Sequence, residues 1–265
     1  MPSVGAETGH RPASDGVMGS VVRALQWGID RMLSVGYGVV YDTIFERFRP
    51  YQDLQAEVLE LVEKGAPPNA ARRDVHVLDV GCGPGNFTFV LAEAGFSAIG
   101  LEAYAALVEL AREKRRAKRL ANLAFRHGEL AAGGVGREAS FDAVVSIHGL
   151  YVHPEPLTLL REARRVLKPG GHAVFVNPSR HVGHWSTFRE IKTRDGMRPA
   201  VASLLWLVPN SIFEVARKRI GPHYWDETQF AANVQAAGLT VLATRRTFLN
   251  GASVLVWARR EVESA

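Results

Sequence analysis

Apolar positions along the chain fall into two alternating periods. A run from Val75 to Val80, rich in β-branched residues, stops at a cluster of glycines, after which Phe87 to Ala94 reads as the start of a helix. A second apolar run, Phe96 to Leu101, ends in Glu102. The pattern then predicts a helix over Ala103–Leu120, strands at Leu123–His127 and Phe141–Ile147, a helix over Pro156–Leu167 and a fifth strand at His172–Asn177. Strands alternating with helices imply an α/β, doubly wound parallel sheet with ligands at the carboxyl edge of its strands. Asp79, Glu102, Glu129 and His148 all come to that edge in this reading.

The flanks follow other patterns. Residues 1–19, rich in Gly, Pro, Ser and Ala, read as a disordered tail without the charged start and apolar centre of a signal peptide. Val21, Val22, Leu25, Ile29, Met32 and Leu33 share one face of a helix over Ser20–Ser34, a dense aromatic stretch follows, and a further helix is expected over Gln52–Lys64. Pro178–Trp225 interrupts the alternation as an insertion. Asp226 is the N-cap expected for a helix to Ala237, which Gly238 stops, and Leu239–Phe248 and Ser253–Arg259 make a hairpin around Asn250-Gly251.

The chemistry centres on Gly81-Cys82-Gly83-Pro84-Gly85. Glycines there permit backbone angles that side chains forbid, and they let a ligand come against bare amides at a helix N-terminus. The same three glycines also suit a tight turn that binds nothing. Glu102 changes the picture, because a carboxylate about twenty residues beyond such a turn is placed to grip ribose hydroxyls. The pair does not separate a nicotinamide cofactor from S-adenosylmethionine, since both present an adenosine ribose.

Taken in order, Leu78-Asp79-Val80-Gly81-Cys82-Gly83-Pro84-Gly85, Glu102, Phe141-Asp142-Ala143-Val144-Val145-Ser146 and Leu160-Arg161-Glu162-Ala163-Arg164-Arg165-Val166-Leu167-Lys168-Pro169-Gly170-Gly171 resemble the motif set of class I S-adenosylmethionine-dependent methyltransferases, small-molecule branch. The resemblance covers roughly residues 70 to 178. It implies a Rossmann-like seven-stranded sheet with an antiparallel last strand, S-adenosylmethionine as cofactor and S-adenosylhomocysteine as product. It further implies that Asp79, Gly81, Cys82, Gly83, Gly85, Glu102, Glu129, Leu130 and Ser146 bind the cofactor. Asp79 orients the loop in such proteins, and Glu129 or Leu130 meets the adenine through a side chain or the backbone.

After the fourth strand relatives often read Ser-x-x-x-Leu-His-His-x-x-Asp-Pro. This chain has Ser146-Ile147-His148-Gly149-Leu150-Tyr151-Val152-His153-Pro154-Glu155-Pro156, with both histidines displaced and Glu for Asp. His148 still falls at the strand tip beside the sulfonium, with Tyr151 close behind, and these two are the expected catalytic residues. Methyl transfer needs the acceptor held in line, and a base only where the acceptor must lose a proton. His148, His153, His181, His184 and His223 are the histidines available for that task, and each also suits a surface or packing position.

The resemblance makes residues 20–66 a helical lid and residues 179–225 a lid insertion around the 70–178 core, which residues 226–265 complete. Tyr37, Tyr41, Trp185 and Trp206 would line the substrate pocket, although aromatic residues at helical spacing also build ordinary core. His181-Val182-Gly183-His184 lacks the Cys or acidic partners of a zinc site, so no metal is expected.

Composition adds bounds. At 265 residues and 47% hydrophobic, the chain suits one elaborated domain with a sizeable core. One cysteine, Cys82, excludes an intramolecular disulfide framework and agrees with a reducing cytoplasm. The net charge of +5 is spread out, and its densest run, Arg112 to Arg119, ends a helix, where cations complement the dipole; nucleic acid is not expected as a partner. Val201–Val208 is too short to span a bilayer, and with the basic helix near Arg217 it suits either a cap over the site or peripheral contact with a membrane surface. The expected function is a cytoplasmic methyltransferase acting on a small, largely apolar acceptor such as a secondary metabolite. Oxygen is the first choice of atom; the rivals are a lipid or quinone methyltransferase and a cofactor-binding protein without turnover.

Overall fold

A computed structural model describes residues 48–132, 136–179, 184–204 and 223–262. The expected tail, the helix over Ser20–Ser34, Tyr37, Tyr41, His181, Trp206 and the basic helix near Arg217 lie outside them.

Seven strands form one sheet: β1 (His76–Val80), β2 (Ser97–Glu102), β3 (Leu123–His127), β4 (Phe141–Ile147), β5 (Leu167–Pro178), β6 (Thr240–Thr247) and β7 (Ser253–Arg259). Their order is β3-β2-β1-β4-β5-β7-β6. β1 to β5 pair in parallel, while β7 runs antiparallel to both neighbours, as a hairpin return requires. The order reverses between β1 and β4, and at such a switch point the outgoing chains diverge and leave a crevice at the carboxyl edge.

Helices cover both faces. On one lie α1 (Arg49–Gly65), α2 (Asn86–Glu93) and α3 (Ala105–Lys118). Leu54, Val58, Phe87, Leu91 and Val108 pack there on Val77, Ala98, Val145 and Val174. On the other lie α4 (Pro156–Val166) and α6 (Glu227–Ala236), where Leu160, Ala163, Phe230 and Val234 meet Leu78, Val144, Phe175 and Val254. Successive strand residues thus go to opposite cores, which is why β4 is buried at all seven positions, its Asp142 and Ser146 included. α1 belongs to this core, so the segment expected as a lid over residues 20–66 ends as a sheet-covering helix. It starts at Arg49 rather than Gln52 because Pro50 is suited to the first turn.

β5 starts five residues earlier than the apolar run suggests. Leu167 pairs with Phe141 ahead of a register shift, and Gly170 and Arg260 continue the ladder (Gly170 N–H to Arg260 O, 2.7 Å). Lys168 Nζ donates to both oxygens of Asp142 at 2.8 Å, and Asp142 also accepts the His76 amide. The Leu-Lys-Pro-Gly-Gly block therefore stitches the amino ends of β1, β4 and β5. α6 carries the capping box expected at Asp226, whose side chain accepts the Gln229 amide while the Gln229 side chain accepts the Asp226 amide.

In the insertion, α5 (His184–Asp195) and a helical stretch over residues 197–204 are described. Ile191 and Ala200 pack with Phe48, Leu249 and Ala252 in a separate small core. No helix among the described residues is long and apolar enough to cross a membrane.

Candidate active site

A cavity of about 280 Å³ opens at the switch point. Its walls come from the turn after β1 (Gly81, Cys82, Gly83), the end of β2 (Glu102, Ala103, Tyr104), the segment after β3 (Gly128, Glu129, Leu130), the segment after β4 (His148, Gly149, Tyr151, His153) and Tyr51 of α1. The size lies near the lower end of the range for small-molecule sites.

The glycine turn differs from the expectation in one respect: its amides are not bare. Gly81 and Cys82 both donate to Leu101 O (2.8 and 3.1 Å), Gly83 donates to Glu102 Oε2 (2.9 Å) and Gly85 to Cys82 O (2.9 Å). What the turn offers instead is close approach. Gly83 has φ +55°, and a Cβ built there meets nothing within 4 Å, so the open side of the backbone faces the cavity. Gly85, with φ +88°, lies under the ring of Phe125, 2.5 Å from where a Cβ would stand; it is a packing glycine and does not line the cavity.

Glu102 ends β2 with its carboxylate buried. Oε2 accepts the Gly83 amide and Oε1 the Tyr104 amide at 3.0 Å, which spends two of about four acceptor directions. Burial raises its pKa, against the lowering effect of those amides. Asp79 does not reach the cavity. It is buried beneath the turn, accepts the Thr88 hydroxyl at 2.7 Å and is pushed up to about 7, chiefly by burial and further by the charge of Glu102. Burial drives the Cys82 thiol well above its usual value, and the thiol points to Gly83 O at 3.6 Å; this is a packing group rather than a nucleophile.

Ser146 is also absent from the cavity wall. Fully buried, it donates to Val80 O at 2.9 Å and so ties β4 to β1 beside the crevice; a Cβ on Gly149 would stand 2.7 Å from its oxygen. Glu129 and Leu130 do line the cavity, held by the Gly128 amide on Glu102 O (2.9 Å).

His148 sits at the tip of β4 with φ +56°, its amide on Val176 O and its ring 5.2 Å from that of Phe248. Nε2 lies 2.9 Å from Ser253 Oγ, and burial holds the imidazole down to about 4. At neutral pH it is an uncharged ring whose conjugate acid is too strong for an effective general base. Tyr151, in a short 3-10 turn over Leu150–Val152, has its ring tilted against that of Tyr224 at 6.0 Å, and its carbonyl accepts the His223 amide. Trp185, expected in the substrate wall, lies on the surface. Two-thirds exposed, it stacks on Phe188 (5.5 Å) under the Arg189 guanidinium and does not reach the cavity.

Two aromatic residues of the wall were not expected there: Tyr104, two positions beyond Glu102 and within reach of that signal, and Tyr51, which carries no local signal that separates it from a packing residue; His153, one of the histidines named above, also lines the cavity. No group of three or more potential metal ligands occurs among the described residues.

The adenosyl cofactor implied by the motifs fits what is present. Gly83 leaves room for a sugar to lie on the backbone, and the acceptor directions remaining on Glu102 suit a vicinal diol. The apolar faces of Leu101 and Leu107 suit a purine.

Comparison with known proteins agrees. A profile for the methyltransferase domain matches residues 45–244. The demethylmenaquinone methyltransferase of Lactococcus lactis is 37% identical over 106 residues, covering 39% of this chain and 42% of that protein. The ubiquinone biosynthesis O-methyltransferase of Acinetobacter baylyi is 25% identical over 134 residues, 51% and 55% of the two chains. The chain thus spans about half the length of these curated relatives. A 23S rRNA (uracil(1939)-C(5))-methyltransferase of Pectobacterium atrosepticum is 28% identical over 47% of this chain and 33% of its own. Among solved structures, a SAM-dependent methyltransferase from Aquifex aeolicus shares the fold with a TM-score of 0.53 at 17% identity, over 78% of this chain and 89% of its own. With three-quarters of its length inside one domain profile, the chain belongs to the methyltransferase-domain family, and its sheet has the fold of the S-adenosylmethionine-dependent neighbour.

Proposed function

We propose that the chain methylates a small, largely apolar molecule at an oxygen atom. The observation that carries this reading is one cavity with a mixed lining. Gly83 and Glu102 suit the adenosyl ribose, while Ile147, Tyr151, Val152 and Leu159 offer apolar and aromatic surface for the acceptor. In this reading Gly81, Cys82 and Gly83 form the floor under the cofactor, Glu102 accepts its ribose hydroxyls, Glu129 and Leu130 border the purine, and His148 and Tyr151 orient the acceptor. Asp79, Gly85 and Ser146 act from behind, through Thr88, Phe125 and Val80.

The bound cofactor supplies an activated sulfonium methyl. The protein then has only to align the acceptor and exclude water, and alignment alone accounts for several powers of ten in rate. Calorimetry with S-adenosylhomocysteine, followed by turnover across phenols, carboxylic acids and amines, tests the reading. Cofactor binding without methylation of any of them would leave a sensing or scaffolding protein.

Small molecules are favoured over RNA by the state of the basic run. Of its six cations, Arg112 donates to Phe125 O and Glu109, Lys114 to Asn86, Arg115 to Leu120 O and Lys118 to Glu93, so four are engaged within the protein. A second reading, a quinone or lipid acceptor taken from a membrane surface, is favoured by the exposed Trp185, Met197, Val201 and Leu204 of the insertion, beside Arg189 and Lys192. Co-sedimentation with anionic vesicles separates it from a freely diffusing acceptor. A cytoplasmic location is part of the proposal, in keeping with the buried free thiol of Cys82.

A further inference from the structure

The turn that faces His148 is left-handed. Phe248, Leu249 and Asn250 have φ of 54°, 41° and 54°, Gly251 continues at 76°, and the Ala252 amide closes the turn on Phe248 O at 2.8 Å. His148 itself stands at φ +56°. L-residues are disfavoured in this region, and where they persist the surroundings over-determine them, often at functional sites. Here the turn is held by Leu249 and Ala252, buried against Phe48, Ile191 and Ala200. It delivers two groups to His148: the Phe248 ring, tilted beside the imidazole at 5.2 Å, and Ser253 Oγ to its Nε2.

Ser253 is 1% exposed, and its hydroxyl has no other acceptor among the described residues. Were Nε2 protonated, the hydroxyl proton would be left buried and unpartnered, which is costly; with Nε2 bare, the hydroxyl donates to it and both groups are satisfied. The ring proton then belongs on Nδ1, which has no protein partner among the described residues, on a residue that lines the cavity. The other histidine in the wall has its tautomer set locally: His153 Nδ1 accepts the Glu155 amide at 3.0 Å, so its proton lies on Nε2, which is buried and has no partner among the described residues.

We propose that Ser253 is a positioning residue that locks His148 as its Nδ1-protonated tautomer, so that the cavity meets the acceptor with a hydrogen-bond donor and takes molecules whose oxygen arrives already ionised. Phenolates, enolates and carboxylates are the class. The depressed basicity of His148 agrees with this. The consequence for the acceptor rests on the methyl-transfer reading; the tautomer does not. In the step itself a lone pair of the anionic oxygen forms the O–C bond while the C–S bond breaks and its pair returns to sulfur. One anion and one sulfonium become an ether or ester and a thioether, and no proton is released. The His148 N–H orients the oxygen throughout.

Long-range 1H–15N correlation spectra of the full chain read the tautomer directly. Expected is an Nδ1-protonated ring at His148, in roughly tenfold or greater excess. In Ser253→Ala the ring should move to a mixture or to the Nε2 form, and Ser253→Thr should restore it. An Nε2-protonated ring in the unaltered chain, or an unmoved one in Ser253→Ala, overturns the assignment; should Ser253→Ala not fold, the first spectrum still decides. For the acceptor, 4-nitrophenol titrated into the S-adenosylhomocysteine complex should bind as its phenolate, with absorption of the anion persisting to lower pH than in water. Binding as the neutral phenol, or none, overturns that half. Absence of heat with S-adenosylhomocysteine alone would instead remove the cofactor reading and leave the tautomer result standing.

Discussion

The Gly83 amide and the Glu102 carboxylate are joined by a 2.9 Å hydrogen bond, so the turn after β1 and the end of β2 form one unit. The bond orients Glu102 toward the open face of Gly83, and it means that a change at either residue is felt by the other.

Glu102→Ala removes the proposed acceptor of the ribose hydroxyls and frees two amides. A hydrogen bond to a charged group is worth about 1.5–3 kcal/mol, so calorimetry should show S-adenosylhomocysteine affinity reduced roughly 10- to 100-fold. Because burial raises the Glu102 pKa, affinity should begin to fall, as pH is lowered, above the ordinary carboxylate range. Glu102→Gln should bind more weakly than the unaltered protein and lack this acid limb. Unchanged affinity in Glu102→Ala would remove the ribose assignment.

Gly83 and Gly85 should respond differently to alanine, although both have positive φ. At Gly83 the added methyl enters open space on the cavity side, so ligand affinity should fall while stability drops by about 1 kcal/mol from backbone strain. At Gly85 it meets the Phe125 ring, and overpacking adds about 1–3 kcal/mol to that strain. Melting temperature and calorimetry on the two variants distinguish a cradle from a packing position; similar profiles would refute the distinction.

Asp79 ties stability to pH. Its folded value of about 7 exceeds the usual 3.8, so below about pH 4 both states are protonated and the contribution is whole. Between those values the unfolded chain ionises and the folded chain does not, and stability falls with rising pH by up to about 1.4 kcal/mol per unit. Urea unfolding at pH 5 and pH 8 should show a smaller difference in Asp79→Asn than in the unaltered protein. An identical difference would mean that Asp79 is ionised in the fold.

Cys82 should resist alkylation. With its thiol pushed up by burial and held against the Gly83 carbonyl, labelling by iodoacetamide at pH 8 should be at least tenfold slower in the native protein than in urea. Rapid native labelling would place the thiol in the accessible cavity wall.

Much of this molecule is legible along the chain because its causes are local. β3, β4 and β7 have the bounds expected from the sequence, since alternation of apolar positions is a local signal, and Gly238 at φ +84° closes α6 for want of a Cβ. Glu102 could be singled out because spacing through one turn and one helix returns the chain to the same sheet edge. Other features depend on residues far apart. Lys168 extends β5 beyond its apolar run by meeting Asp142, and Tyr51 reaches the cavity only because α1 packs across the sheet. Ser253 is 105 residues from His148, and only the pairing of β5 with β7 brings it to that ring, through a turn whose strain no local pattern announces. The chain by itself determined the alternation of strands and helices, the glycine turn and its carboxylate, since short-range sterics and periodicity suffice for these. The tertiary structure decided which groups face the ligand and in what protonation state, since burial and partners depend on what the whole fold brings within 3 Å.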